Sequence, residues 1–127
     1  MRVWRIEGPD GRGPFSGGPA DDPTCSWLRA AKMPSAMYAD LHTPPSPDED
    51  GDLRIGADRY CGFATLIQLE QWFPKDVRAY FRSLPLALAE YDVPETFVDV
   101  GDWQVTFCMA DAQIQHAQSL ADAVIFD

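Results

Sequence analysis

Basic residues are scarce in this 127-residue sequence, where ten Lys and Arg stand against twenty Asp and Glu for a formal charge of -10. Proteins hold a phosphate backbone with Lys and Arg and gain from counterion release, so a chain this acidic disfavours direct binding of DNA or RNA. Cysteine is sparse as well. Cys25, Cys61 and Cys108 form an odd set, lie far apart and contain no Cys-x-x-Cys pair, which argues against a disulfide framework or a zinc site. The two histidines, His42 and His116, stand in no metal-ligand spacing with Cys or Glu. No apolar run approaches the roughly 18 residues of a membrane span, and the start, Met1-Arg2-Val3-Trp4-Arg5, has no apolar signal-peptide core. A cytoplasmic protein with reduced thiols and no membrane contact is expected.

What is present is enough for a core. Apolar residues make up 46% of the chain, which with its length predicts a single domain over residues 1–127. Val3-Trp4-Arg5-Ile6-Glu7 alternates β-branched or aromatic residues with charged ones and stops at Gly8-Pro9-Asp10-Gly11, predicting a strand over residues 2–7 and a turn. Gly and Pro are too dense over residues 8–23 for regular structure, so a long loop is expected there, then a short helix from Cys25 to Lys32. A second irregular stretch is expected over residues 33–57. Thr65 followed by Gln68 reads as a capping box, with Leu66, Leu69 and Phe73 on one helical face. Past Pro74, the spacing of Val77, Tyr80, Phe81 and Leu84 predicts a second helix over Lys75–Leu84. Leu86 to Val93 and Phe97 to Val100 read as strands. Gly101-Asp102 reads as a two-residue hairpin turn into Trp103-Gln104-Val105-Thr106-Phe107, with Trp103, Val105 and Phe107 inward. Asp111 is expected to cap a final helix carrying Ile114, Ala117 and Leu120, ahead of a strand over Ala123 to Phe126. The order predicts an α+β fold: a small mixed or antiparallel sheet with a β-hairpin in the C-terminal half, packed against two to three helices.

Few residue groups here carry chemistry. The acidic run Asp48-Glu49-Asp50-Gly51-Asp52 starts like a calcium loop, but the twelfth position, where a bidentate Glu belongs, is Arg59 counted from Asp48 and Cys61 counted from Asp50. It reads instead as a solvated charge run, and no metal is expected. His42 lies in the same Pro-rich acidic loop, where binding residues collect, so His42, Asp48, Glu49, Asp50 and Asp52 are the candidate binding residues. Gly11-Arg12-Gly13-Pro14-Phe15 lacks the spacing of a nucleotide-binding loop and reads as a tight turn.

Trp4-Arg5-Ile6-Glu7 with Gly11-Arg12-Gly13-Pro14-Phe15, the Pro44 to Gly51 segment, Gly62-Phe63-Ala64-Thr65 with Leu69 and Trp72-Phe73, and Trp103 to Phe107 together resemble a family of small phage and prophage proteins. That resemblance implies an accessory role. With the charge, it leads to an anti-defence protein that binds without a cofactor, presenting an acidic surface to a basic site on a host protein or nucleoprotein complex such as a CRISPR effector. The layout also distantly resembles the ADP-ribosyltransferase fold. That likeness implies an NAD-using enzyme in which Arg5 sits on the first strand, Thr65 or Tyr60 ahead of a helix and Gln104 on a late strand. Gln104 stands where that fold carries Glu, and an uncharged amide gives up the electrostatic stabilisation of a developing cation.

Overall fold

Alternation in the first strand buries both of its faces, and the rest of the fold is arranged around it. The computed structural model describes residues 1–8, 50–51, 53–54 and 59–123. The expected helix at Cys25–Lys32, most of the two long loops and the terminal strand lie outside the described residues. Strand β1 (Arg2–Glu7) pairs antiparallel with β3 (Ala87–Asp92), Val3 opposite Tyr91 and Arg5 opposite Ala89. The other side of β3 pairs antiparallel with β6 (Gln113–Ser119). In a second antiparallel sheet, β5 (Val105–Cys108) lies between β2 (Arg59–Gly62) and β4 (Val98–Val100).

The two sheets join where Trp4 and Phe63 exchange backbone hydrogen bonds of 2.9 and 2.8 Å. The strands therefore follow one another as β6, β3, β1, β2, β5, β4 around a bend. A glycine makes that approach possible, because a Cβ on Gly62 would lie 2.5 Å from Val3 Cγ1 and 3.0 Å from the Trp4 carbonyl oxygen. Within the bend, Val3, Ala89, Tyr91 and Val93 meet Val105 and Phe107. On the opposite face, Ile6 and Leu88 pack against two helices, α1 (Leu66–Trp72) and α2 (Lys75–Phe81), through Leu69, Trp72, Phe73, Val77 and Phe81. Phe73 meets Phe63 and Phe81 edge-on, with ring centres 6.1 and 5.2 Å apart, a geometry that suits the charge distribution of aromatic rings.

The expected capping box is present. Thr65 Oγ1 accepts the Gln68 N–H at 3.1 Å, and Gln68 Oε1 accepts the Ala64 N–H at 2.9 Å. On α1 the buried side chains are Leu69 and Trp72, with Phe73 just past its end; Leu66, the first helical residue, is exposed. Helix α2 stops at Phe81, short of the expected Leu84, and the chain turns through Ser83 and Leu84 with 3.0 Å bonds to the Tyr80 and Phe81 carbonyls.

Two expectations are corrected. The turn between β4 and β5 spans four residues rather than two, since Val100 pairs with Val105 and the Gly101 N–H meets the Gln104 carbonyl at 2.8 Å. Trp103 is thereby left in the loop, where it still packs, half-buried, against the core cluster around Ile6 and Leu69, and Val105 and Phe107 face the core as expected. The segment expected as a final helix is strand β6, and Asp111 belongs to a 3-10 turn (Met109–Asp111) ahead of it. Helical spacing of Ile114 and Ala117 was outweighed by backbone pairing with β3, for Ile114 and Ala117 are both exposed and gain nothing from a helical stripe. Over the described residues the architecture is α+β, with two short helices and two small antiparallel sheets, and the hairpin expected in the C-terminal half is present.

Substituting Gly62→Ala forces β1 and β2 apart. A loss of about 2 kcal/mol in unfolding free energy is expected, measured by denaturant titration at unchanged slope. Wild-type stability in that variant would contradict the close-approach role.

Candidate functional site

Three polar clusters are built into this frame. The first lies inside the bend. Arg5 shares the inner face of β1 with Val3 and Glu7, and it is 5% exposed. Its Nε donates to Glu7 Oε1 at 3.1 Å and one terminal nitrogen donates to the Cys61 carbonyl at 3.0 Å, so the guanidinium ties β1 to β2. Its carbon lies 4.9 Å from the centre of the Tyr60 ring and 6.0 Å from that of Phe107, within cation–π range. Glu7 Oε1 also accepts the Tyr91 hydroxyl at 2.6 Å. Burial, the Glu7 hydrogen bond and the Glu7 charge push the Tyr91 phenol up, against a smaller opposing pull from Arg5. Cys61 is exposed on β2, yet desolvation also raises its thiol above the ordinary value, with the Arg5 charge opposing. A thiol held protonated is a poor nucleophile.

The second cluster closes the β4–β5 turn. Asp50 is 4% exposed, and its carboxylate accepts the backbone N–H groups of Asp102, Trp103 and Gln104 at 2.8, 2.9 and 3.0 Å. On the other side, Gln68 Nε2 donates to the carbonyls of Gly101 and Asp102 at 3.3 and 3.1 Å. The loop is thus held by a carboxylate through its N–H groups and by an amide through its carbonyls. Gly101 is required there, because a Cβ would collide with the Asp50 carboxylate and carbonyl. Asp50 was expected in a solvated charge run; it is instead a buried anchor that accepts three backbone N–H groups. Three backbone N–H groups converging on one carboxylate make a backbone anion nest, here filled from within the chain.

In the third cluster, Arg54 grips Asp99 with Nε and a terminal nitrogen at 2.8 and 3.0 Å and with its backbone N–H at 2.9 Å. Arg59 adds bonds to Asp99 at 3.1 Å and to the Thr106 carbonyl at 3.0 Å. The Arg54 hydrogen bonds, together with both guanidinium charges, hold the Asp99 carboxyl below its ordinary value despite some opposing desolvation.

The residues expected to handle NAD fall into these structural tasks. Arg5 bridges strands and Thr65 caps α1. Gln104 is buried in the turn, its N–H on Asp50 and its carbonyl on Gly101. Tyr60 offers a half-open ring over Arg5. His42, Asp48, Glu49 and Asp52 lie outside the described residues. Among the described residues no group of three or more His, Cys, Asp and Glu stands close enough to hold a metal ion. The role of Asp50 escaped sequence reading, although a signal was present: Asp50 precedes Gly51, whose φ of 84° marks a turn that carries the chain into the nest.

Other described carboxylates face outward. Glu70, Asp76, Glu95, Asp102, Asp111 and Asp122 are exposed and have no ion-pair partner among the described residues. The described arginines are engaged: Arg2 with Glu90, Arg78 with the Glu70 and Phe73 carbonyls, Arg82 with the Ala121 carbonyl, and Arg5, Arg54 and Arg59 as above. No described helix is long and apolar enough to cross a membrane. Over the described residues, fold and surface together define a small α+β protein with outward-facing acidic groups and arginines bonded to carbonyls and carboxylates. The family model described as Bacteriophage T4 Y00F protein matches residues 1–121, and the chain belongs to that phage protein family. No curated protein and no solved structure matches it significantly.

Two substitutions separate these clusters. Asp50→Asn places an amide N–H₂ against backbone N–H donors, and a loss of about 3 kcal/mol in unfolding free energy is expected; full stability would show that the turn holds without its anchor. For Tyr91 the folded-state shift is upward, so its contribution is complete below the unfolded phenol value of about 10 and is lost as pH rises through the folded value. Tyr91→Phe should therefore destabilise the protein near neutral pH and flatten the alkaline loss of stability above pH about 10, both measurable by thermal melts across pH. Parallel alkaline curves for the two proteins would refute the coupling.

Proposed function

We propose that this phage protein is an accessory factor that acts by binding in the host cytoplasm. It presents its carboxylates to a basic site on a host protein or nucleoprotein complex, with a defence complex such as a CRISPR effector as the partner class. The observation that carries the reading is the unequal use of charge. Arginines are spent on carbonyls and carboxylates within the frame, while Glu70, Asp76, Glu95, Asp102, Asp111 and Asp122 stand exposed without ion-pair partners among the described residues. A net -10 on a chain of this size sets up a long-range field that raises encounter rates with cationic surfaces and repels phosphate. A basic site that normally receives nucleic acid meets both requirements. No observation favours NAD chemistry; the Arg5 and Thr65 side chains make bonds that support the fold, and Gln104 is buried in the β4–β5 turn.

The test is a pull-down of host lysate on the immobilised full-length protein at about 0.05 M and about 0.5 M salt. Exposed charge pairs are strongly screened once the Debye length drops below about 5 Å. A partner retained at low salt and released at high salt is expected, and a variant with Glu95, Asp102 and Asp111 each changed to Lys should fail to retain it. A partner held equally at both salt concentrations and by the variant would overturn the reading.

A further inference from the structure

Strand β6 is unusual for the edge of a sheet. Gln113-Ile114-Gln115-His116-Ala117-Gln118-Ser119 pairs with β3 on one side, and among the described residues nothing pairs with its other side. All of its residues are exposed apart from the partly covered Gln118, and Ile114 is 58% exposed. Natural edge strands are guarded against pairing by Lys, Pro, inward-pointing charges or bulges, and of these β6 has only a bulge. Its one irregularity is a bulge: His116 pairs with Glu90 and Ile114 with Tyr91, leaving Gln115 as the extra residue. The Gln115 side-chain amide folds back on the Gln113 carbonyl at 3.3 Å, a weak bond that an incoming N–H can replace. From His116 to Ser119 the pairing with β3 is regular, so the outer N–H and C=O groups of that stretch are spaced for another strand.

Charge decides what that strand is. Asp111 precedes β6 and Asp122 follows it, both exposed and without an ion-pair partner among the described residues. If a second copy paired antiparallel with β6 about His116, Asp111 of each molecule would approach Asp122 of the other, and like charges would meet at both ends. A segment with cations at its ends avoids that conflict. We propose that the open edge of β6 takes up an extended peptide segment of the partner, with Lys or Arg near its ends, as an added strand. This rests on the basic-partner reading and deepens it: backbone hydrogen bonds to β6 supply the docking, and Asp111 and Asp122 select the cationic segment. Seven strand residues span roughly 23 Å, so a segment of about nine residues reaches both carboxylates.

The probe is a fluorescent peptide of alternating threonine and valine with two lysines at each end, titrated against the full-length protein by anisotropy. Controls are the same peptide ended in glutamates and the lysine peptide N-methylated at every central residue. Binding of the lysine peptide is expected, weakened at least tenfold by glutamate ends, by N-methylation, and by the double change Asp111→Lys with Asp122→Lys. Ile114→Lys, on the exposed strand itself, should weaken it likewise while leaving the circular dichroism spectrum unchanged. Four results would overturn the proposal: no binding of the lysine peptide, equal binding of the glutamate peptide, binding untouched by N-methylation or by these variants, or a dimer in sedimentation that Ile114→Lys abolishes. Lysine-peptide binding that is salt-sensitive but indifferent to the β6 changes would sink the edge site and leave the broader basic-partner reading standing.

Discussion

A buried guanidinium holds the bend on which this fold depends. Arg5 stands between the two sheets, bonded to Glu7 on its own strand and to the Cys61 carbonyl on β2, with the Tyr60 ring beside it. A charge in that position is tolerable because it is paired and hydrogen-bonded; either partner alone would be a costly buried ion. The pair in turn takes the Tyr91 hydroxyl, so the third strand is tied to the same point. With the bend fixed, apolar side chains divide: Val3, Ala89, Val105 and Phe107 fill the inside, while Ile6, Leu88 and the helix residues fill the outside. The first strand can bury Arg5 because Gly62 lets β2, with the Cys61 carbonyl, come within reach.

The same economy shapes the surface. Asp50 closes the β4–β5 turn and Asp99 collects Arg54 and Arg59, so part of the acidic excess is used for construction. Six more of the described carboxylates are exposed without an ion-pair partner among the described residues, while the described arginines are bonded to carbonyls and to other carboxylates. Acidity thus has two separate meanings in one chain. Inside, carboxylates replace water as acceptors for backbone N–H groups and guanidinium donors; outside, they form a field whose reach is set by ionic strength.

Much of the local structure was legible in the sequence because it depends on neighbours in the chain. The first strand, the Thr65–Gln68 cap, the Pro74 boundary and the inward pair Val105 and Phe107 all rest on short-range patterns. What escaped depends on distant partners. β6 shows helical spacing and no buried stripe, so its state is decided by pairing with β3, which the local pattern does not encode. Trp103 alternates with Val105 and Phe107, but the Asp50 carboxylate draws its N–H into the turn and out of the strand. Of the candidate site residues, Arg5, Thr65 and Gln104 have chemistry that fits an NAD site on paper. In the structure the Arg5 side chain meets Glu7 and Cys61, the Thr65 hydroxyl meets Gln68, and the Gln104 backbone N–H meets Asp50; the contacts to Cys61 and Asp50 are ones that the local sequence pattern does not encode.

The central claim is that exposed carboxylates, rather than a reactive site, carry the function. Its most direct measurement is the association rate constant between this protein and its captured host partner over a range of salt. Electrostatic steering predicts a rate that falls steeply as salt rises while the dissociation rate changes far less. An association rate indifferent to salt would contradict the account.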